Sequence, residues 1–347
     1  MTEQKKFKVY VSDFDYPDLD IERSVLEPIG AEVIGLNCKT GIGLGELAKD
    51  ADAILQQYAK IPRSTIEQLE NCKIICRYGI GVDILDVEAC YDHGIKVSNV
   101  PDYCIDEVAD HSISLGLALF RRIPAYDKST HEGKWHWDID GLVPKRFRSS
   151  TWGLIGFGRI AQNIAKKITA LGFKVVAFDP YVSSSYMNTF GVEKVNLDTL
   201  IETSDVVNVM CPHTPETDRL INEERLRKMK PNAVLVNGAR GKVVDNKALY
   251  KALTEGWIAS AGLDDPEEEP AKLDNWNPAD NPIFGLDNCV VTPHVAYVSE
   301  EAFQECRRIA AENAKAVLLG GKPLDPVQRV KTPLSEQANK KRMEQPA

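Results

Sequence analysis

Short runs of β-branched residues alternate with longer amphipathic stretches along almost the whole chain, and this alternation leaves few folds open. Strands separated by helix-length connections cannot pair as hairpins; they form parallel sheets built from βαβ units. Two such series are present. The first has candidate strands at FKVYVSD (7–13), AEVIGL (31–36), AILQQ (53–57), KIICRYG (73–79) and KVSNV (96–100). The second opens at TWGLIGF (151–157) and continues through KVVAFD (174–179), DVVNVMC (205–211), AVLVNGA (233–239), IASAGLD (258–264) and NCVVTPH (288–294). Between them, DYCIDEVADHSISLGLALFRR (102–122) reads as one long helix, acidic in its first turn and basic at its end, as the helix dipole favours. A polar and aromatic connection (123–150) follows it. A further helix is expected around 300–319, and a loose polar tail over 330–347. At 347 residues the chain is long enough for two domains.

Charge and composition remove several classes of function. Lys and Arg number 42 against 51 Asp and Glu, a net charge of −9, which disfavours a broad basic face for nucleic acid or anionic lipid. No apolar run approaches the roughly 18 residues of a membrane span, and the start of the chain lacks a signal-peptide core. The eight cysteines are scattered, with no CxxC pair and no zinc-ligand spacing. The expectation is a cytoplasmic protein with reduced thiols and no metal, one that engages neither nucleic acid nor membrane.

Gly156-Phe157-Gly158-Arg159-Ile160-Ala161 lies between a predicted strand and a predicted helix, the context that gives a GxGxxG/A run its meaning. Gly156 allows the tight turn, Gly158 lets backbone amides approach a pyrophosphate, and Ala161 lets helix and strand pack closely. Asp179 closes the next strand 21 residues after Gly158, where a carboxylate accepts from the adenosine ribose hydroxyls and repels a 2′-phosphate. NAD is therefore the expected cofactor. Arg240, Glu269 and His294 each end or follow a strand of the second series, where open α/β sheets place ligands. Their types suit hydride chemistry on a 2-oxo acid: an Arg to grip the carboxylate, a His to exchange the alcohol proton, a Glu to hold the imidazole. Spacing alone leaves open that Arg240 and His294 are structural residues.

Seven motifs, in order, carry a resemblance over roughly residues 7 to 328. They are RYGIGVDILD (77–86), VADHSISLGLALFRR (108–122), GLIGFGRIAQNIA (153–165), CPHTPETDRLIN (211–222), NGARGKVVDNKAL (237–249), GLDDPEEEP (262–270) and TPHVAY (292–297). With them the chain resembles the D-isomer-specific 2-hydroxyacid dehydrogenase family. The resemblance implies that Arg240 binds the substrate carboxylate and carbonyl, that His294 is the proton donor and acceptor, and that Glu269 is its partner. It implies that the loop with Tyr78 and Gly79 holds the carboxylate through backbone amides. It carries cofactor contacts to Gly156, Gly158, Arg159, Ile160 and Asp179, to Cys211 and Thr217, to Gly238 and Ala239, and to Asp264. The implied architecture is α/β with two doubly wound parallel sheets. A Rossmann NAD-binding domain (102–297) is inserted in a flavodoxin-like substrate domain (1–101 and 298–329), and the enzyme is a homodimer paired through the cofactor domains.

The implied activity is NAD-dependent interconversion of a small 2-oxo acid and the D-2-hydroxy acid. Departures from the pattern bear on it. Asp265 and Pro266 stand where the family has two apolar residues. His213 replaces an apolar residue and reads as a surface or cofactor-edge histidine. Gln56 occupies a place where phosphoglycerate dehydrogenases carry an Arg, which lowers that reading. Hydroxypyruvate, glyoxylate, pyruvate and phosphorylated or sulfonated analogues stay open as substrates. A dinucleotide-binding corepressor-like scaffold with little turnover is the alternative from another class.

Overall fold

The computed structural model describes residues 7–268, 270 and 275–328. They fall into two compact units, one holding residues 7–103 and 299–328, the other residues 104–268, 270 and 275–298. Each unit is built on its own parallel sheet, as the two series predict.

The first sheet has strands β1 (Phe7–Val11), β2 (Ala31–Gly35), β3 (Ala53–Gln56), β4 (Ile74–Arg77) and β5 (Lys96–Ser98), in the order β2-β1-β3-β4-β5. Every pairing is parallel, and the order is that of flavodoxin-like sheets. All four residues of β3 are buried, as expected of a strand covered on both faces. The helix Glu300–Leu318 belongs to this unit; Ser299 caps it by accepting from the Ala302 amide at 2.9 Å, with Glu300 and Glu301 in its first turn. From this helix Arg307, 5% exposed, reaches Glu22, 0% exposed, at 2.7 Å and Asp18 at 2.9 Å. The Tyr78 hydroxyl donates to the same Glu22 carboxylate at 2.9 Å. The Tyr16 ring packs edge-on against Tyr78 and lies beneath the Arg307 guanidinium.

The second sheet comprises β6 (Thr151–Ile155), β7 (Lys174–Phe178), β8 (Glu193–Lys194), β9 (Val206–Val209), β10 (Val234–Asn237), β11 (Ser260–Leu263) and β12 (Cys289–Val291). Its order, β12-β11-β10-β9-β6-β7-β8, is the dinucleotide-binding order extended by one strand. Apolar layers cover both faces. One is built with Trp152, Ile164 and Ile168; the other with Leu200, Leu226 and Leu249.

Two local expectations change. The segment 102–122 holds one helix, Ile105–Phe120, as expected, but the connection after it does not begin as a loop: Arg122 takes a left-handed φ of 60°, and a new helix Ile123–His131 starts with Pro124 in its first turn. That second helix buries only Ser129, so it carries no apolar stripe by which its period could be read. The two-residue strand β8 was not foreseen either, because Glu193–Lys194 is short and polar. The expected tail, 330–347, lies outside the described residues. No helix among the described residues is long and apolar enough to cross a membrane.

Arg307→Ala leaves the buried Glu22 carboxylate without its cation, a loss of about 3–5 kcal/mol for a buried pair broken on one side. All five tryptophans are in the other unit, so the readout is hydrogen exchange of the β1 and β3 amides. Protection there is expected to collapse; unchanged protection would show that the pair does not hold the unit together.

Candidate active site

At the switch point of the second sheet, β6 pairs with β7 on one side and β9 on the other, the place beyond whose carboxyl strand ends open α/β sheets bind ligands. Gly156 leaves β6 with φ 94°, and a Cβ there would lie 2.8 Å from the Met210 carbonyl and 3.0 Å from the Cys211 amide nitrogen. The residue must be glycine on both counts. Gly158 is the N-cap of the helix Arg159–Ala170 and offers no side-chain cap, and a Cβ on it would meet nothing within 4 Å. First-turn amides of a 12-residue helix thus face open space beside Gly158, with Arg159 exposed, Ile160 half-buried and Ala161 buried. At the end of β7 the Asp179 carboxylate accepts from the Phe157 amide at 2.9 Å and the Tyr181 amide at 2.8 Å. That fixes it one strand away from the glycine turn.

Cys211, at the end of β9, is buried, and burial pushes its thiol up to about 12. Thr217 braces the loop that follows: its hydroxyl donates to the Pro212 carbonyl at 2.7 Å and accepts from the Thr214 amide at 2.7 Å. His213 is half-buried and lies 2.8 Å from Asp218 in the same loop.

The remaining residues follow β10, β11 and β12. Asn237 pairs with Leu263, and Leu263 with Val291, so the three carboxyl ends stand side by side at strand spacings of about 4.8 Å. Past β10, the Asn237 side chain closes the loop by donating to the Arg240 carbonyl at 2.9 Å and accepting from the Ala239 amide at 3.1 Å. Gly238 lies in this loop, against the Ser112 hydroxyl. Arg240 is half-buried, and its guanidinium donates to the Ala239 carbonyl at 2.9 Å. Past β11, Asp264 is 3% exposed and accepts from the Thr292 hydroxyl at 2.7 Å and from the Val295 and Ala296 amides at 2.9 Å each. His111, from the helix Ile105–Phe120, bonds Thr292 at 2.9 Å and lies 3.6 Å from Asp264. Past β12, the His294 amide donates to the Asp264 carbonyl at 2.7 Å, and His294 holds a left-handed φ of 54°. A non-glycine residue there is strained. Its ring Nδ1 is 3.7 Å from the Asp265 carboxylate.

Arg240 and His294 are thereby brought to one edge of one sheet. Glu269 lies outside the described residues. Its neighbours Glu267 and Glu268 turn elsewhere, to Arg219 at 2.7 Å and to Asn281 at 2.7 Å. Thr292, His111 and the approach of Asp265 were not singled out from the sequence as site residues; Asp265 alone left a signal, as a charge in an otherwise apolar place.

In the five-stranded unit, Tyr78 and Gly79 follow β4, Gly79 with φ 139°. The Tyr78 amide donates to the Gln56 carbonyl at 2.8 Å and the Gly79 amide to the Arg77 carbonyl at 3.0 Å, so both N–H groups are already taken up within the fold. The next two amides, of Ile80 and Gly81, have no such acceptor among the described residues. Gln56 is fully buried, its amide nitrogen donating to the Ala59 carbonyl at 2.6 Å.

Residues 113–296 match the family model described as D-isomer specific 2-hydroxyacid dehydrogenase, NAD binding domain. The chain is 38% identical over 301 residues to a D-3-phosphoglycerate dehydrogenase of Archaeoglobus fulgidus, covering 83% of this chain and 56% of that protein. It therefore spans little more than half the length of that relative. It is 40% identical over 279 residues to a glyoxylate reductase of Thermofilum pendens, covering 79% of this chain and 80% of that one. Among solved structures, D-lactate dehydrogenase of Aquifex aeolicus, complexed with NAD and lactic acid, superposes with a TM-score of 0.80 at 27% identity, covering 90% and 96% of the two chains.

The two glycines of the turn separate folding from binding. Gly156→Ala forces a Cβ into the Met210 carbonyl at positive φ and is expected to cost about 1–3 kcal/mol of stability, read as a lowered melting temperature. Gly158→Ala meets open space at an ordinary φ of −74° and should leave melting unchanged while weakening dinucleotide binding in calorimetry. Equal effects of the two on melting would contradict this turn.

Proposed function

The chain belongs to the D-isomer-specific 2-hydroxyacid dehydrogenase family, and from that membership we propose that it interconverts a small 2-oxo acid and the corresponding D-2-hydroxy acid with NAD. The observation that carries the reading is that Arg240 and His294 follow β10 and β12, the two strands flanking β11, at the same edge of the nucleotide-binding sheet, with the His294 amide bonded to the Asp264 carbonyl. The residues around Gly156 fit a dinucleotide: open space at Gly158, uncapped helix amides and a fixed acid at Asp179. Gly156, Gly158, Arg159 and Ile160 would hold its pyrophosphate, Asp179, Cys211 and Thr217 its adenosine end, and Gly238, Ala239 and Asp264 its nicotinamide end. When bound, it supplies or takes up the hydride.

Arg240 grips the substrate carboxylate and polarises the adjacent carbonyl by charge-assisted hydrogen bonds. His294 as imidazolium gives its proton to the carbonyl oxygen during reduction, and as imidazole takes it back during oxidation. Glu269 steadies the ring through its other nitrogen. The five-stranded unit is read as the substrate domain, with the loop of Tyr78 and Gly79 after β4 taken as the one that holds a carboxylate through backbone amides; in that loop the Ile80 and Gly81 amides have no backbone acceptor among the described residues. Gln56 is buried and bonded to Ala59 where phosphoglycerate dehydrogenases carry an Arg, which favours an unphosphorylated acid such as glyoxylate or hydroxypyruvate, while Arg77 beside Gly79 keeps an anionic tail open. We further read the protein as a cytoplasmic homodimer. Trp135, Trp137 and Val143, exposed by 90%, 64% and 63%, give the nucleotide-binding unit an apolar surface suited to a second copy.

The deciding experiment is NADH oxidation against glyoxylate, hydroxypyruvate and pyruvate; binding of NADH without consumption by any of them would favour the scaffold reading. Arg240→Ala removes an aligned donor worth about 3 kcal/mol in the transition state, so kcat/KM should fall at least about a hundredfold; near-normal turnover in both Arg240→Ala and His294→Ala would remove the assignment. Reduction consumes the His294 proton, so its rate should fall as pH rises through the imidazole titration while oxidation gains. Both rates rising together with pH would contradict that role.

A further inference from the structure

The segment from Asp264 to Glu268 places four described carboxylates next to the strand ends that carry Arg240 and His294. Their surroundings differ. Asp264 accepts from Thr292, Val295 and Ala296, Glu267 pairs with Arg219, and Glu268 accepts from Asn246 and Asn281. Asp265 is 3% exposed, and its Oδ2 lies 3.7 Å from His294 Nδ1. That is the range of a charge pair rather than a short hydrogen bond.

The position of Asp265 is held from two sides. The preceding carbonyl, of Asp264, accepts from the His294 amide at 2.7 Å. The following turn is pressed against Gly241, where a Cβ would come within 2.2 Å of the Pro266 carbonyl oxygen. The backbone next to Arg240 and the backbone of His294 thus both fix the carboxylate that faces the ring.

We propose that Asp265 is a positioning residue for His294: the charge of its buried carboxylate, on the Nδ1 side of the ring, favours the imidazolium and orients Nε2 to pass the proton. This rests on the reading of His294 as the proton donor, and it adds an anion to whatever Glu269 contributes. Among the described residues, the other titratable groups near this corner are Asp264, which accepts from Thr292, Val295 and Ala296, His111 beside it, Tyr297 with its ring centroid 6.1 Å from that of His294, and Arg240, which follows β10 on the other side of β11. An anion within 4–6 Å of an imidazole raises its midpoint by about one to three pH units. Without it, the reductive rate loses its alkaline side first.

The test is an NMR titration of His294 in the full-length protein, its signal identified by its loss in His294→Gln. Asp265→Asn should lower the imidazole midpoint by about one unit or more, about tenfold in the protonation equilibrium, and Asp265→Glu should largely restore it. In wild type, the Asp265 carboxyl 13C shift should inflect at the His294 midpoint, which reads the pair even if the Asn variant fails to fold. The alkaline limb of glyoxylate reduction should move down in pH in Asp265→Asn with KM for NADH unchanged, a split that a merely structural role would not produce. An unmoved midpoint, or a carboxyl shift blind to His294, overturns the proposal. A moved midpoint in a protein that reduces no 2-oxo acid supports the pair and overturns the dehydrogenase reading instead.

Discussion

The Asp264 carboxylate, 3% exposed, accepts from one hydroxyl and two backbone amides on the far side of β12, while its carbonyl accepts from the His294 amide. Backbone donors to a buried carboxylate offset the desolvation that burial imposes. Through this knot the chain beyond β12 is turned back sharply enough for His294 to adopt its left-handed conformation. A strained residue persists only where its surroundings over-determine it. The placement of the imidazole is therefore a property of β11 as much as of the segment that carries it.

Parallel topology does the rest of the assembly. Because every pairing in the seven-stranded sheet is parallel, all carboxyl ends lie on one edge, and residues far apart in sequence meet there without any long loop. Gly156 and Asp179 follow β6 and β7, Cys211 follows β9 across the switch point, and Arg240, Asp265 and His294 follow strands farther along. In a chain of net charge −9, the acids of the 264–268 run do not simply repel one another, since each described one is taken up by amides, an Arg, an Asn or the imidazole.

The five-stranded unit uses the same logic with a different anchor. Glu22 joins the Arg307 guanidinium and the Tyr78 hydroxyl, so the helix Glu300–Leu318, the helix Asp20–Leu26 that carries Glu22 and the loop after β4 share one buried charge pair. Such a pair gives little net stability over an apolar substitute but is costly to break on one side, which makes it a device for holding the loop in one place.

What the sequence by itself determined was the class and the order of its parts: eleven of the twelve strands, the glycine turn with Asp179, and the pattern around Arg240 and His294, all of which rest on local period, local turn chemistry and motif. The helix Ile123–His131 escaped because a helix without an apolar face has no period to read. Which amides of the 78–81 loop are open was decided only by the fold, since Gln56 and Arg77 supply the acceptors that occupy the first two. The nearness of Asp265 to His294 likewise needed the register of β11 on β12, because a sequence states which groups can pair, and tertiary packing states which are within reach.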